Sequence, residues 1–171
     1  MSKSSSKPSK EDQKNLEKKL GEVLGLERAA QKAVEELSSM KLLDSGSKKQ
    51  ILSMKEEAGS HEEKIEQLIS DISEENEDLK IDQDSIEETA KETEKKAVKM
   101  MKTYLGEDPD SSEAIEFLAL AEGGEVIHYE VLHALSKNFK GKELSNTVNS
   151  ILKEEQKHLQ LCIDLAKESV S

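Results

Sequence analysis

Residues 144–165 read LSNTVNSILKEEQKHLQLCIDL. Leu144, Val148, Ile151, Cys162 and Leu165 recur at steps of three and four, the period of one face of an α-helix. Glu155 and His158 fall on that same face, in the middle of the apolar stripe. A carboxylate in a dry core costs several kcal/mol unless it is paired or bound to a cation. The stretch therefore predicts a helix over about 143–168 whose buried face carries chemistry at its midpoint.

Three other stretches repeat the pattern. A helix over about 10–38 has the stripe Leu16, Leu20, Val23, Ala30, Val34 and Leu37, interrupted by Glu27. A helix over about 47–75 has Ile51, Met54, Ala58, Ile65, Leu68 and Ile72, with His61 at the centre of the face. Glu57 lies on the flank of that face, roughly 60° from its centre by helix geometry. A helix over about 111–137 has Leu118, Ala121, Leu132 and Leu135, interrupted by Glu125 and His128. A further segment, about 85–104, has the weaker stripe Ile86, Ala90, Ala97, Met101 and Tyr104, and reads as a crossover between two hairpins.

Breaks and caps separate these segments. LLDSGS at 42–47, the acidic run over 73–84, GEDPDSS at 106–112 and Gly141 read as turns or loops. Ser47 with Gln50, Asp84 with Glu87, and Asp110 with Glu113 have the spacing of a capping box. Residues 1–9 are Ser and Lys with one Pro, too poor in apolar groups to order themselves, and read as a disordered tail. Residues 10–171 form one domain, long enough to bury a core.

Composition narrows the function classes. Ala, Glu, Lys and Leu dominate and Pro is nearly absent, the mixture of an all-α protein. A net charge of −12 argues against nucleic acid, whose phosphates need a cationic face. The four aromatics, Tyr104, Phe117, Tyr129 and Phe139, are too few for base stacking. A single cysteine, Cys162, excludes an internal disulfide and CxxC metal centres. No apolar run approaches the roughly 18 residues of a membrane span, and the N-terminus has no apolar signal region, so a cytoplasmic location is expected.

Glutamate supplies 28 of the 171 residues, so a Glu one turn before a His is a cheap coincidence. Position carries the argument instead. Glu27 and His61 are centred on position 44, beside a turn near 43; Glu125 with His158, and His128 with Glu155, are centred beside a turn near 140. Antiparallel hairpins would bring each set to one level near mid-helix. The candidate metal ligands are Glu27, Glu57, His61, Glu125, His128, Glu155 and His158. Carboxylates can bridge two cations and imidazoles can cap them, a donor set suited to two ions, iron first and then manganese or zinc. A hydrogen-bonded Glu–His network without metal is the competing explanation. His133 is about 140° round its helix from His128 and is expected to face solvent or stand behind the ligands. Met100, Met101 and Cys162 are expected to fill the core.

The pattern resembles the ferritin-like superfamily. The matching residues are Glu27, His61, Glu125 and the Glu155-Gln156-Lys157-His158 motif, within a resemblance covering roughly residues 12–168. LERAAQKAVEEL, SHEEKIEQL and EVIHYEVLHAL place it nearest the stress-induced YciE/YciF-type branch. The resemblance implies an up-down-down-up four-helix bundle with a long crossover that contains a short extra helix. It also implies a dinuclear metal site that reacts with oxygen or peroxide, as a ferroxidase or peroxidase-like oxidoreductase in stress defence, with Tyr129 close behind the ligands. Two departures stand out. The second helix has Glu57-x-x-x-His61 where the family has ExxH, and Ala58 occupies the usual Glu place. The ligand of the 111–137 helix is open among Glu125, His128 and Glu130. The other expectation is a non-catalytic helical bundle acting as a structural or interaction protein without metal. A homodimer is compatible with either.

Overall fold

The computed structural model describes residues 7–75 and 79–171. Among the described residues there are five helices: α1 (Lys10–Ser39), α2 (Ser45–Glu75), α3 (Gln83–Leu105), α4 (Ser111–Ser136) and α5 (Glu143–Glu168). Among the described residues there is no strand. The molecule is an all-α bundle in which α1 packs on α2, α3 and α4, while α5 packs on α4 and α2. The expected stripes of α2 and α5 are buried along their whole length.

The helix starts follow local chemistry. Ser9 caps α1, with Asp12 returning the bond to its backbone. Asp110 and Glu113 form the expected box on α4, at 2.9 and 3.0 Å. Two caps differ from expectation. Asp44, not Ser47, opens α2: its carboxylate accepts from the Ser47 N–H and hydroxyl at 2.8 and 3.0 Å. Asp82, not Asp84, caps α3 by accepting from the Ser85 N–H, and Glu87 pairs with Arg28 on α1 at 2.8 Å. The expected disordered tail falls largely on residues 1–6, outside the described residues. The expected 73–84 loop is shorter, with α2 running to Glu75, and its Leu79 is buried in the core.

The 23-residue α3 is longer than a short crossover element and lies directly on α1. Two glycines permit this. A Cβ at Gly21 would stand 2.6 Å from Thr89 Cβ and 2.7 Å from the Ile86 carbonyl oxygen. One at Gly25 would stand 2.8 Å from Thr93 Cβ and overlap the Ala90 carbonyl oxygen. Arg28 then ties three helices together, donating to Glu62 and Glu66 of α2 and to Glu87 of α3. Two residues expected in the α3 core are outside it: Met100 is 66% exposed and Tyr104 49%. Met101 is buried as expected.

The apolar core comes in two parts. One holds Leu16, Leu20, Ile65, Leu68, Tyr129, Leu132, Val148 and Ile151. The other holds Val34, Leu37, Ile51, Met54, Leu118, Cys162 and Leu165. On α1, α2, α4 and α5 alike, buried polar residues stand between the two parts: Glu27, His61, Glu122 with Glu125, and Glu155 with His158. The bundle thus has a polar layer at mid-height with hydrocarbon above and below.

The close α1–α3 approach predicts opposite outcomes for two glycine replacements. Gly25→Ala forces carbon into backbone and should destabilise by about 1–2 kcal/mol net of the helix-propensity gain. Gly124→Ala, where nothing in the chain stands within 4 Å of a new Cβ, should stabilise by about 1 kcal/mol. Urea melts of the two variants measure both, and equal effects would contradict the close packing.

Candidate metal centre

The polar layer is assembled by four helices. α1 supplies Glu27, α2 His61, α4 Glu122 and Glu125, and α5 Glu155 and His158. All six are buried. Nδ1 of His61 lies 2.7 Å from Glu155 Oε1 and 3.3 Å from Glu27 Oε1. Nδ1 of His158 lies 3.6 Å from Glu155 Oε2 and 3.8 Å from Glu122 Oε2. The two imidazole rings stack with centroids 5.9 Å apart.

These contacts define two triads, Glu27–His61–Glu155 and Glu122–His158–Glu155, each offering ligand atoms within 4.8 Å of one another. Glu155 belongs to both, one oxygen facing each histidine. Glu125 lies beside Glu122, and the charges of Glu155, Glu122 and Glu27 act on it.

The outer nitrogens repeat the symmetry. Nε2 of His61 meets Glu154 Oε2 at 2.5 Å, and Nε2 of His158 meets Glu57. Each ring thus turns Nδ1 to the buried carboxylates and Nε2 to a carboxylate at the edge. Such an outer partner fixes the tautomer and ring angle of a ligating histidine. Tyr129 donates to Glu27 Oε1 at 2.8 Å and so fixes the α1 carboxylate.

Of the seven residues expected to converge, Glu27, His61, Glu125, Glu155 and His158 stand together. Glu57 is half exposed and reaches only the far side of the His158 ring. His128 is elsewhere: its Nδ1 pairs with Glu22 Oε2 at 2.9 Å in the seam between α1 and α4, beside Lys19. Burial and the Lys19 charge hold His128 below its usual range. Glu130, the other α4 alternative, is exposed. Two residues were missed, Glu122 and Glu154. The α4 stripe was read one residue off: 118-121-125-128-132 and 118-122-125-129-132 both have helical spacing, and the second is the buried one. The signal available was Tyr129, a large residue able to cover the core while its hydroxyl finds a partner. Nothing local marks Glu154, whose role depends on how α5 faces α2. Cys162, one turn past His158, has its thiol 3.9 Å from Met54 Sδ and joins neither triad.

The electrostatics show how crowded the layer is. Burial pushes the Glu27 carboxyl up, and the Glu155 charge adds to this, to about 8. Burial and the Glu155 charge hold Glu122 and Glu125 well above the carboxylate range. Burial acts on Glu155 in the same direction, but hydrogen bonds from His158 and His61 win and hold it below that range. Burial disfavours a charged His61, yet bonds to Glu155 and Glu27 raise it to about 11. The same balance, with Glu155 and Glu57, raises His158.

Even so, Glu27 Oε2, Glu122 Oε2, Glu125 Oε1 and Glu155 Oε2 are buried with no hydrogen-bond partner. Such orphans normally signal a missing partner. Carboxylate oxygens and imidazole Nδ1 atoms gathered in the two triads are donors of the kind that hold divalent transition metals. Each triad could hold a metal ion.

Raised carboxylates bind more protons folded than unfolded above their ordinary values, so they cost stability as pH rises from about 4.5 towards 8. Raised histidines contribute stability that is complete below about 6.5 and fades as pH rises towards 11. Glu155 acts oppositely, contributing above about 4.5 and losing its contribution in acid. Metal-free protein should therefore be most stable near pH 5, with a melting temperature falling by several degrees by pH 9. A flat or rising profile over that range, in chelator, would contradict the assignment. No family model matches the chain, and no curated protein or solved structure matches it either.

Proposed function

We propose that the chain is a ferritin-like dinuclear metal protein that reacts with oxygen or peroxide. The observation that carries this reading is the pair of buried triads sharing Glu155. In this reading α1 with α2 and α4 with α5 are the two hairpins of a ferritin-like bundle, and α3 belongs to the connection between them. Glu27, His61 and Glu155 would hold one ion and Glu122, His158 and Glu155 the other, with Glu125 beside Glu122. Iron or manganese bound there supplies the electron transfer to oxygen or peroxide.

The protein's own side chains have separable tasks. Glu154 and Glu57 orient the two imidazoles through Nε2. Tyr129 donates to Glu27 Oε1, the oxygen 3.3 Å from His61 Nδ1, and so holds that carboxylate against the His61 ring while Oε2 stays without a donor. The hydrocarbon on both sides excludes water, which strengthens every charge interaction in the layer. Protons held by Glu27, Glu122, Glu125 and the histidines leave when cations enter, so affinity rises with pH.

One observation favours a metal-free structural bundle instead: the histidines already have carboxylates at both ring nitrogens. Metal analysis separates the two. After anaerobic loading with Fe(II) or Mn(II), two ions per chain are expected. Glu27→Gln and Glu122→Gln should each retain one, and Glu155→Gln should retain neither tightly. Loaded protein should melt higher, by about 2.7 kcal/mol of added stability at a hundredfold excess over Kd, and should consume hydrogen peroxide. Fewer than one ion per chain with no peroxide consumption would establish the structural alternative.

A further inference from the structure

The outward side of α4 carries a pattern that the single chain leaves unused. Leu120, Gly124, Ile127 and Val131 recur there at steps of three and four, so they share one side of the helix. Leu120 is 59% exposed, Ile127 65% and Val131 44%. Apolar side chains scattered over a surface are ordinary, but an aligned run marks a contact surface. Tyr104 of α3 widens it, half exposed and with its ring centroid 5.6 Å from that of Phe117 on α4.

Two glycines interrupt the run at its middle. Glycine inside a helix is costly, and nothing inside the chain requires these two. A Cβ at Gly124 would meet no atom within 4 Å, and one at Gly123 would only touch Leu159 Cδ1 at 3.9 Å. The helix thus gives up stability for a notch, between Leu120 and Ile127, that a group from outside the chain can fill.

The spacing says which group. Leu120 and Val131 lie equally far from a midpoint between residues 125 and 126, and so do Gly124 and Ile127. When two copies of one helix pack antiparallel about a two-fold axis at that midpoint, a residue meets the one equally far on the other side, and the contact occurs twice. Leu120 of one copy then faces Val131 of the other, and Ile127 of each drops into the other's notch. The ends agree as well. Glu116 begins this side of α4 and Lys137 flanks its end, both exposed, and neither has an ion-pair partner among the described residues. Antiparallel pairing brings Glu116 of each copy within reach of Lys137 of the other. We propose that the chain forms a two-fold dimer through α4, with the two helices antiparallel and centred on residues 125–126.

A second copy fits this side better than other occupants. The net charge of −12 disfavours an anionic membrane and sets whole chains against one another. The antiparallel register offsets that repulsion by placing acidic ends on basic ones, whereas a parallel pair would put Glu116 on Glu116 and Lys137 on Lys137. A helix of another protein would gain nothing from equal spacing about one midpoint. Glu122 and Glu125 lie on the opposite side of α4 by helix geometry, so the dimer is independent of metal and of the function proposed above.

Sedimentation equilibrium of the full chain in chelator tests this. A dimer with a Kd on the order of 10 µM is expected, because a contact built mainly on one helix is small. Ile127→Glu should weaken it at least about a hundredfold by placing a charge in each notch. Gly124→Ala, stabilising in a single copy, should weaken it about tenfold by narrowing the notch. Glu116→Lys and Lys137→Glu should each weaken it about fivefold at low salt, and the double variant should restore it. Along one α4 these two residues are about 31 Å apart, so such cancellation arises between copies. A chain that stays monomeric at about 200 µM, a dimer that survives Ile127→Glu, or charge changes that add instead of cancelling would each overturn the proposal.

Discussion

Four carboxylates and two imidazoles occupy one dry layer, and the bundle has to live with that crowding. A single unpaired carboxylate in such a place costs several kcal/mol, a large share of the 5–15 kcal/mol that typically separates folded from unfolded chains. The arrangement answers by keeping protons on Glu27, Glu122 and Glu125 and by leaving the negative charge on Glu155, between His61 and His158. Protonation also turns a carboxyl into a donor, and Glu122 then bonds to Glu155 and Glu125 across the layer. Divalent cations would take the place of those protons, which is why the donor geometry and the electrostatics lead to the same place.

The fold and most of the layer were legible because burial and period agree on three helices. On α5 the stripe from Leu144 to Leu165 admits a single register, so Glu155 and His158 could only face inward. The same holds for His61 on α2 and Glu27 on α1. On α4 the two criteria part company. Leu120, Ile127 and Val131 are exposed, so apolar residues stand on nearly every side of the helix and hydrophobicity alone does not choose a face. His128 and Tyr129 are adjacent and both continue a helical stripe, and only the one through Tyr129, which also carries Glu122, is buried. Glu57 and Glu154 illustrate a different limit. Their roles rest on contacts across helices about a hundred positions apart in the chain, and no local pattern encodes how far two helices are rotated towards each other.

The third helix also exceeded what its sequence suggested. Its stripe is weak because α1 supplies much of the contact through bare backbone at Gly21 and Gly25 rather than through side chains. Helices that meet at glycine leave little hydrocarbon signature in either strip of sequence. Beside Glu125, small residues of α1, α3 and α4 leave an alanine-lined space between the three helices.

Dividing the hydrocarbon into two bodies has a consequence for how the molecule opens. Each body is stitched by its own set of residues, Leu16 to Ile151 at one end and Val34 to Leu165 at the other, and the stratum joining them is the least favourable part of the interior. Two separately packed bodies have separate opening free energies, so amide exchange in the two halves need not run in step. Whatever ligates the central stratum becomes the element that makes the two ends unfold as one.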